Sequence, residues 1–184
     1  MSNYADPLDA NDLSVVVSDL LVATAEHADP AVDGSVQQAL RALRQMLKVN
    51  AVFVAEVREQ QKITRSLDRD DQFNLAVGDT VPLEDTYCKL VLEGRLPEYI
   101  PDVQGLAERL PAGTLPANVV PAGIRAHVST PITLGDGRVY GTLCCISSGT
   151  LDADEAKALQ QLRQCAQFVA KSLGAAPPPA SAAR

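Results

Sequence analysis

The fold is decided by the sequence GIRAHVSTPITLGDGRVYGTLCCISS, which runs from Gly123 to Ser148. This stretch contains two apolar runs, separated by the tripeptide Gly-Asp-Gly at residues 135–137. Glycine readily adopts the positive backbone angles that a tight reversal requires, so the stretch predicts a β-hairpin. The first run is expected to break at Pro131, and the second opens on Val139.

Alternation along this hairpin predicts one polar face and one apolar face. Side chains two residues apart on a strand share a face of the sheet. A polar strand face beside apolar cover is typical of a small-molecule pocket. We therefore expect the polar face to line a pocket, with the following side chains directed into it: Arg125, His127 and Ser129 from the first strand, and Tyr140, Thr142 and Cys144 from the second.

The same hairpin carries a family resemblance. Its segments GIRAHVSTPI and VYGTLCC resemble the last two core strands of a GAF domain, and DTYCKLVLEGRLPEYIPDV, residues 85–103, resembles the segment before those strands in bacterial sensory GAF domains. The resemblance spans residues 35–173 and implies the GAF fold. GAF domains bind cyclic nucleotides, bilins, haem, amino acids or 2-oxo acids, or have no known ligand. The resemblance therefore leaves the ligand and any cofactor unknown.

The order of the predicted elements is helix, two strands, helical insert, strand, helix, hairpin, helix. This order predicts an α+β fold with a GAF-like antiparallel sheet and helices packed on both faces. The 184 residues fit one domain with extensions. We expect an N-terminal extension with a helix at residues 1–34, the GAF domain at 35–174 and a disordered Pro/Ala-rich tail at 175–184.

Capping-box patterns predict two helix starts, one at Ser35 with Gln38 and one at Asp152 with Glu155. An apolar residue recurs every three or four positions after each of them. Helices are expected at residues 13–25, 36–48, 83–93, 104–110 and 156–173, strands at 51–57, 61–67 and 98–103 besides the hairpin, and a lid-like loop at 112–122.

Composition excludes several classes of function. The chain has 16 basic and 23 acidic residues, a net charge of −7, which argues against nucleic acid as the main partner. No apolar run approaches the length of a membrane span, and the acidic N-terminus does not resemble a secretory signal. Four cysteines do not make a disulfide scaffold in a chain of this length. We therefore expect a cytoplasmic protein that acts on neither membranes nor nucleic acid.

Catalytic and metal-binding motifs are absent from the sequence. There is no phosphate-binding or dinucleotide-binding glycine loop, no C-x-x-C and no H-E-x-x-H. With two histidines in the chain, a histidine-rich metal site is excluded. We expect a protein that is not an enzyme and has no metal site.

His127 and Cys88 are open to two interpretations each. His127 is either a ligand contact, with Arg125 supplying charge for a carboxylate or phosphate, or a histidine at the core edge bonded to a backbone carbonyl. Cys88 follows Tyr87 at a helix start that lines the pocket in GAF domains. The helix start and the neighbouring Lys89 favour a reactive thiolate there, but a buried cysteine also serves as a small hydrophobe.

Two further expectations come from the resemblance. Bilin-binding GAF domains commonly use a Cys-His pair, and Lys89 stands where that histidine would be, so covalent chromophore attachment is not expected. Similar sensory domains often carry an aspartate at the position of Asp102, which either contacts the ligand or caps a loop.

The functional prediction is a non-catalytic GAF regulatory module that senses a small molecule or redox state. We expect a homodimer through a heptad seam on the last helix, which signals to a downstream domain or protein by changing helix packing. Two alternatives remain. A filled interior would favour a dimerisation scaffold, and a cavity with exposed, closely spaced thiols would favour a methionine sulfoxide reductase. The seam consists of Leu159, Leu162, Ala166, Val169 and Leu173.

Overall fold

The computed structural model describes residues 31–115 and 123–175. The helix expected at residues 13–25, the tail after residue 175 and residues 116–122 of the lid-like loop lie outside the described residues. The strands are β1 (Ala51–Arg58), β2 (Gln61–Arg69), β3 (Thr80–Pro82), β4 (Tyr99–Ile100), β5 (Ala126–Thr133) and β6 (Val139–Ser147). The helices are α1 (Ala31–Leu47), a 3-10 turn (Leu83–Asp85), α2 (Tyr87–Leu92), α3 (Val103–Arg109) and α4 (Glu155–Ala175).

The six strands form one sheet in the order β3-β2-β1-β6-β5-β4, and every neighbouring pair is antiparallel. Helices α1 and α4 pack on one face, over a core that includes Leu40, Leu143 and Phe168. Helix α2 covers part of the other face, where Cys88 packs against Phe53 and Cys144. The predicted α+β sandwich with helices on both faces is confirmed.

Helix α1 buries the predicted apolar stripe but begins earlier than expected. Leu40 and Leu43 are fully buried, and Val36 and Leu47 nearly so. The helix begins at Ala31, so Ser35 lies inside it and the capping-box prediction at Ser35 was wrong. Packing of an apolar stripe of this kind supplies most of the stability of a helix in a protein.

The heptad seam on α4 turns out to be core. Leu162, Ala166 and Val169 are buried within this one chain against the sheet and α1, and Leu159 and Leu173 pack at the edge of the same cluster. The seam was expected to form a dimer interface, but α1 lies alongside α4 and completes the cover of the seam within one chain. A dimer through these residues would therefore have to break the core.

The start of α4 also differs in detail. The backbone N–H of Lys157 donates to Oδ1 of Asp154 at 2.8 Å. Asp154 is thus the residue that satisfies a free N–H in the first turn, and the predicted capping role of Asp152 was wrong.

The hairpin forms as predicted, but Pro131 does not interrupt it. Gly137 takes a positive φ of 84° in the turn, and β5 continues through Pro131 to Thr133. On its outer side β5 pairs with β4 only at Val128 and His127. Pro131 therefore lies where β5 is a sheet edge on that side. The N–H that proline lacks is not needed by any neighbouring strand there.

No helix among the described residues is long and apolar enough to cross a lipid bilayer.

Candidate functional site

A cavity of about 510 Å³ opens on the sheet face opposite α1 and α4. It lies between β1, β6 and β5 on one side and α2, β3 and the segment around Phe73 on the other. Its walls are mainly apolar, which suits an organic ligand. The apolar wall consists of Phe53, Phe73, Leu75, Val81, Ile124 and Ile146, and the polar groups include Lys62, Asp85, Thr86, Tyr87, Cys88 and His127.

Thr86 ends the 3-10 turn and caps α2, so the helix predicted at 83–93 is in two pieces. Thr86 has extended backbone angles, and its hydroxyl accepts the N–H of Lys89 at 3.3 Å. This break places Tyr87 and Cys88 in the first turn of α2, directed at the sheet. The ring of Tyr87 lies 5.0 Å from the ring of His127, and burial raises the pKa of Tyr87 to about 12. Tyr87 therefore stays neutral at physiological pH.

His127 is 3% exposed and lies on β5 opposite Ile146 of β6. Its Nδ1 has no hydrogen-bond partner among the described residues. The interpretation in which a backbone carbonyl satisfies a core-edge histidine is therefore wrong for this nitrogen. A buried polar atom without a partner is costly, so it points to a ligand or to a role for the ring.

Two cysteines distant in sequence meet at the cavity floor. The Sγ atoms of Cys88 and Cys144 are 3.1 Å apart, and Oγ1 of Thr142 lies 3.1 Å from the Cys144 sulfur. A ring nitrogen of His127 and the two sulfurs all lie within 4.8 Å of one another. All three residues are buried, and only Cys88 and His127 reach the cavity wall. Two histidines rule out a histidine-rich metal site, but they do not rule out this mixed cluster.

The pKa values of the two thiols are shifted in opposite directions. The hydrogen bond from the Cys144 thiol holds the pKa of Cys88 well below its usual value, against the effect of burial, and His127 and the charge of Lys62 add to the lowering. Burial raises the pKa of Cys144, and the neighbouring Cys88 raises it further. Cys88 is therefore the more acidic thiol of the pair. The cause differs from the expected one, because Lys89 faces Glu93 at 3.8 Å instead.

Lys62 on β2 is a positively charged group of the cavity that sequence reasoning missed. Its Nζ lies 5.0 Å from the centroid of the Phe53 ring, and it forms no ion pair with a carboxylate of the described residues. Alternation on the first hairpin could have found it. Lys62 pairs with Val57, which shares its sheet face with Phe53.

The model of the GAF domain family matches residues 32–173 of the chain. The chain belongs to the GAF domain family. No curated protein sequence matches it closely enough to count as a relative.

Solved structures, a GAF domain among them, share the fold at low identity. The free methionine-R-sulfoxide reductase from Neisseria meningitidis, solved with its substrate, is 17% identical with a TM-score of 0.64, and 95% of each chain is covered. The GAF domain of the Acinetobacter phosphoenolpyruvate-protein phosphotransferase is 15% identical with a TM-score of 0.65, and 94% of each chain is covered. The chromophore-binding domain of the R. palustris bacteriophytochrome RpBphP3 is 18% identical with a TM-score of 0.62, covering 88% of this chain and 60% of that one. At these identities the likeness shows the fold alone.

In this GAF domain Arg125 and Asp102 lie outside the cavity. Nη2 of Arg125 is 3.2 Å from Oδ1 of Asp102, and Nη1 donates to Gln104 at 3.1 Å. The expected ligand contact of Arg125 is therefore not seen, and of the two interpretations of Asp102 the ligand contact is not seen either. Arg125 precedes β5, so strand alternation does not extend to it, and Ile124 lines the cavity instead. Asp102 stands at the start of α3 without a side-chain capping bond, so it is an ion-pair partner rather than a loop cap.

Tyr140 faces the other side of the sheet. The register of β5 and β6 shifts between Ile132 and Thr133, which leaves Tyr140 as the extra residue of a bulge. It packs against the core beneath α1 and α4, so the expectation that its ring lines the pocket was wrong. Ser129 and Thr142 do lie on the cavity side with Cys144, but fully buried and behind the wall, and Oγ of Ser129 has no hydrogen-bond partner among the described residues.

Proposed function

We propose that this GAF domain is a non-catalytic sensory module that binds a small organic anion in the cavity described above. One observation carries the proposal: Lys62, which forms no ion pair with a carboxylate of the described residues, places its ammonium group at a cavity with mainly apolar walls. A volume of about 510 Å³ is within the range of small-molecule sites.

The walls define the class of ligand. Phe53 and Phe73 offer ring faces, and Leu75 and Ile146 offer aliphatic surface, so a flat or hydrophobic body fits between them. A carboxylate or phosphate on that body would pair with Lys62. The proposal thus retains the anionic ligand that was expected from the sequence, with Lys62 rather than Arg125 as the residue that pairs with its charge.

Matched substitutions test this assignment. The mass of freshly purified protein is first measured by native mass spectrometry to detect a retained ligand. The protein is then screened by thermal shift against organic anions and their neutral amides. Lys62→Gln should weaken an anionic hit roughly 10- to 100-fold, since a charge-assisted hydrogen bond contributes about 1.5–3 kcal/mol. Arg125→Gln is the control, because it removes the same charge outside the cavity. Hits confined to neutral compounds, or anionic hits lost equally in both variants, would refute the proposal.

The cavity also bears on the two alternatives. A dimerisation scaffold was expected to have a filled interior, and the open volume above the sheet speaks against it. The reductase was expected to expose its closely spaced thiols. Cys88 and Cys144 are close together but only 2% and 0% exposed, so they have the spacing expected of the reductase without the exposure.

Redox sensing is a second candidate function, favoured by the sulfur separation of 3.1 Å between Cys88 and Cys144. A disulfide requires about 2.05 Å, so the sulfurs need to approach by roughly 1 Å. With hydrogen peroxide as oxidant, the two thiols lose two electrons and two protons, the S–S bond forms, and the peroxide is reduced to two waters. Mass spectrometry of non-reduced peptides should find a Cys88–Cys144 link after peroxide treatment. A link between Cys145 and Cys165, or none, would refute it.

Signalling through a homodimer to a downstream domain is the output we propose for the module. The buried seam of α4 is unavailable for this contact, so a dimer would use the polar outer side of the helix. Sedimentation velocity with and without a ligand found in the screen tests the step. Monomers under both conditions would remove dimer-based signalling from the proposal.

A further inference from the structure

The cluster of Cys88, Cys144 and His127 has the donor set of a soft transition-metal site. Thiolate and imidazole are the ligands that Zn²⁺ prefers, and two cysteines with one histidine are a known set for zinc sites that keep an open position. Their three donor atoms lie within 4.8 Å of one another, although the residues are separated by up to 56 positions in the chain.

We infer that these three side chains bind one Zn²⁺ ion at the floor of the cavity, with the fourth coordination position open to the cavity. The inference goes beyond the proposed binding of an organic anion at Lys62 and does not depend on it. Cys88 and His127 line the cavity, whereas Cys144 lies behind them, so the cavity is the side from which a fourth ligand reaches the metal.

The distances fit zinc after a small movement. With Zn–S bonds of about 2.3 Å, two sulfurs of a tetrahedral site lie roughly 3.8 Å apart. The sulfurs of Cys88 and Cys144 are 3.1 Å apart and need to separate by about 0.7 Å. Cys144 is fixed on a central strand, whereas Cys88 lies in the first turn of the short helix α2 and has the cavity beside it.

The polar surroundings also suit a bound metal. His127 is buried, one of its ring nitrogens lies within 4.8 Å of both sulfurs, and its Nδ1 has no hydrogen-bond partner among the described residues, so the ring is not held by protein bonds at both nitrogens. The hydroxyl of Thr142, 3.1 Å from the Cys144 sulfur, is placed to donate to a thiolate there, and outer-shell bonds of this kind orient metal ligands.

Charge selects a divalent ion over a monovalent one. Two thiolates with Zn²⁺ form a neutral buried unit, whereas two thiolates with Cu⁺ leave one net negative charge in a site that is almost completely shielded from water. Lys62 is the charged group that faces this cluster from β2. Its ammonium does not repel a neutral zinc–dithiolate unit as it would a free cation.

Cobalt provides the spectroscopic test, since Co²⁺ substitutes for Zn²⁺ and its absorption reports the ligands. Reduced, metal-free protein is titrated with Co²⁺ without oxygen, followed by Zn²⁺. We expect one Co²⁺ per chain, a sulfur-to-cobalt charge-transfer band, the intense visible bands of tetrahedral cobalt, and loss of all of them as Zn²⁺ displaces Co²⁺. Weak octahedral bands without sulfur ligation, or no saturable binding, would overturn the inference.

Variants assign the site to these residues. Cys88→Ser, Cys144→Ser and His127→Gln should each weaken Zn²⁺ binding by more than the 10- to 100-fold typical of an outer-shell change. Cys145→Ser makes the same change on the opposite face of the same strand and should leave binding intact. Far-ultraviolet circular dichroism verifies that each variant is folded. Binding unchanged in both folded Cys88→Ser and folded His127→Gln would overturn the inference.

Two further measurements separate this site from the other proposals. Lys62→Gln should retain the cobalt spectrum even where it abolishes binding of an organic anion. Bound Zn²⁺ should protect Cys88 and Cys144 from peroxide, because both proposals use the same sulfurs. If the disulfide forms at the same rate with and without saturating Zn²⁺, the metal does not occupy these thiols and the inference fails.

Discussion

Leu162→Ala decides whether the apolar seam of α4 is core or interface. Leu162 is fully buried in the single chain, among Leu40 and Leu43 of α1 and Leu143 of β6. Its truncation removes three carbon atoms from a packed cluster and leaves a cavity that the surrounding helices and sheet fill only in part. We therefore expect a large loss of stability in a monomer.

The magnitude follows from full burial. A buried Leu→Ala change costs about 2–5 kcal/mol, and because Leu162 is 0% exposed we expect about 3 kcal/mol or more. Domains are stable by only about 5–15 kcal/mol, so the variant should still fold at room temperature. For a domain of this size each kcal/mol lowers the Tm by about 2–4 °C, which gives a decrease of roughly 6–12 °C.

Urea unfolding followed by circular dichroism measures the change at two protein concentrations. Leu159→Ala is the matched control, since Leu159 stands one turn earlier on the same helix and is only partly buried. It should cost clearly less than Leu162→Ala. If the seam is core, the difference between the two variants does not depend on protein concentration, because no association contributes to the stability of the chain.

An opposite result would refute the reasoning. If Leu162→Ala costs less than about 1 kcal/mol but converts a dimer to a monomer in sedimentation, the seam is an intermolecular contact and its burial within one chain has been misinterpreted.

Two further predictions concern the sheet and the thiols. Gly141→Ala should destabilise the domain by more than about 2 kcal/mol, because an added Cβ would overlap the carbonyl oxygen of Ala55 on the neighbouring central strand. Gly135→Ala is the control, since its added Cβ meets open space and should change the urea midpoint little. Equal effects of the two substitutions would contradict this account. Cys88 should react first with a maleimide at neutral pH, because its pKa is lowered and it lines the cavity, whereas burial raises the pKa values of Cys145 and Cys165. Peptide mass spectrometry of timed samples checks the order, and earlier labelling of Cys165 would count against the assignment of Cys88 as the thiolate.

Local patterns were sufficient for much of the fold. The Gly-Asp-Gly turn predicted the β5–β6 hairpin, and two-residue alternation placed His127, Ser129 and Cys144 on one face of the sheet. The apolar stripes of α1 and α4 marked the helix faces that are buried. Such patterns are reliable because they depend on the geometry of one element, which the residues of that element determine by themselves.

Positions near the ends of elements were predicted less well. Arg125 stands just before β5, and Tyr140 stands at a bulge, so alternation assigned both to the wrong surroundings. A bulge adds one residue to one strand and reverses the faces beyond it. Its position depends on how two strands fit together, and neither strand encodes that alone.

By itself the sequence predicted a GAF-like sheet and the residues of its last hairpin that share a face. Only the tertiary structure decided that Cys88 meets Cys144 at 3.1 Å beside His127, and that Lys62 rather than Arg125 borders the cavity. The physical reason is distance along the chain. Periodicity reports which residues share a face within one element, whereas contacts across tens of residues depend on the register of the sheet and on how α2 packs against it.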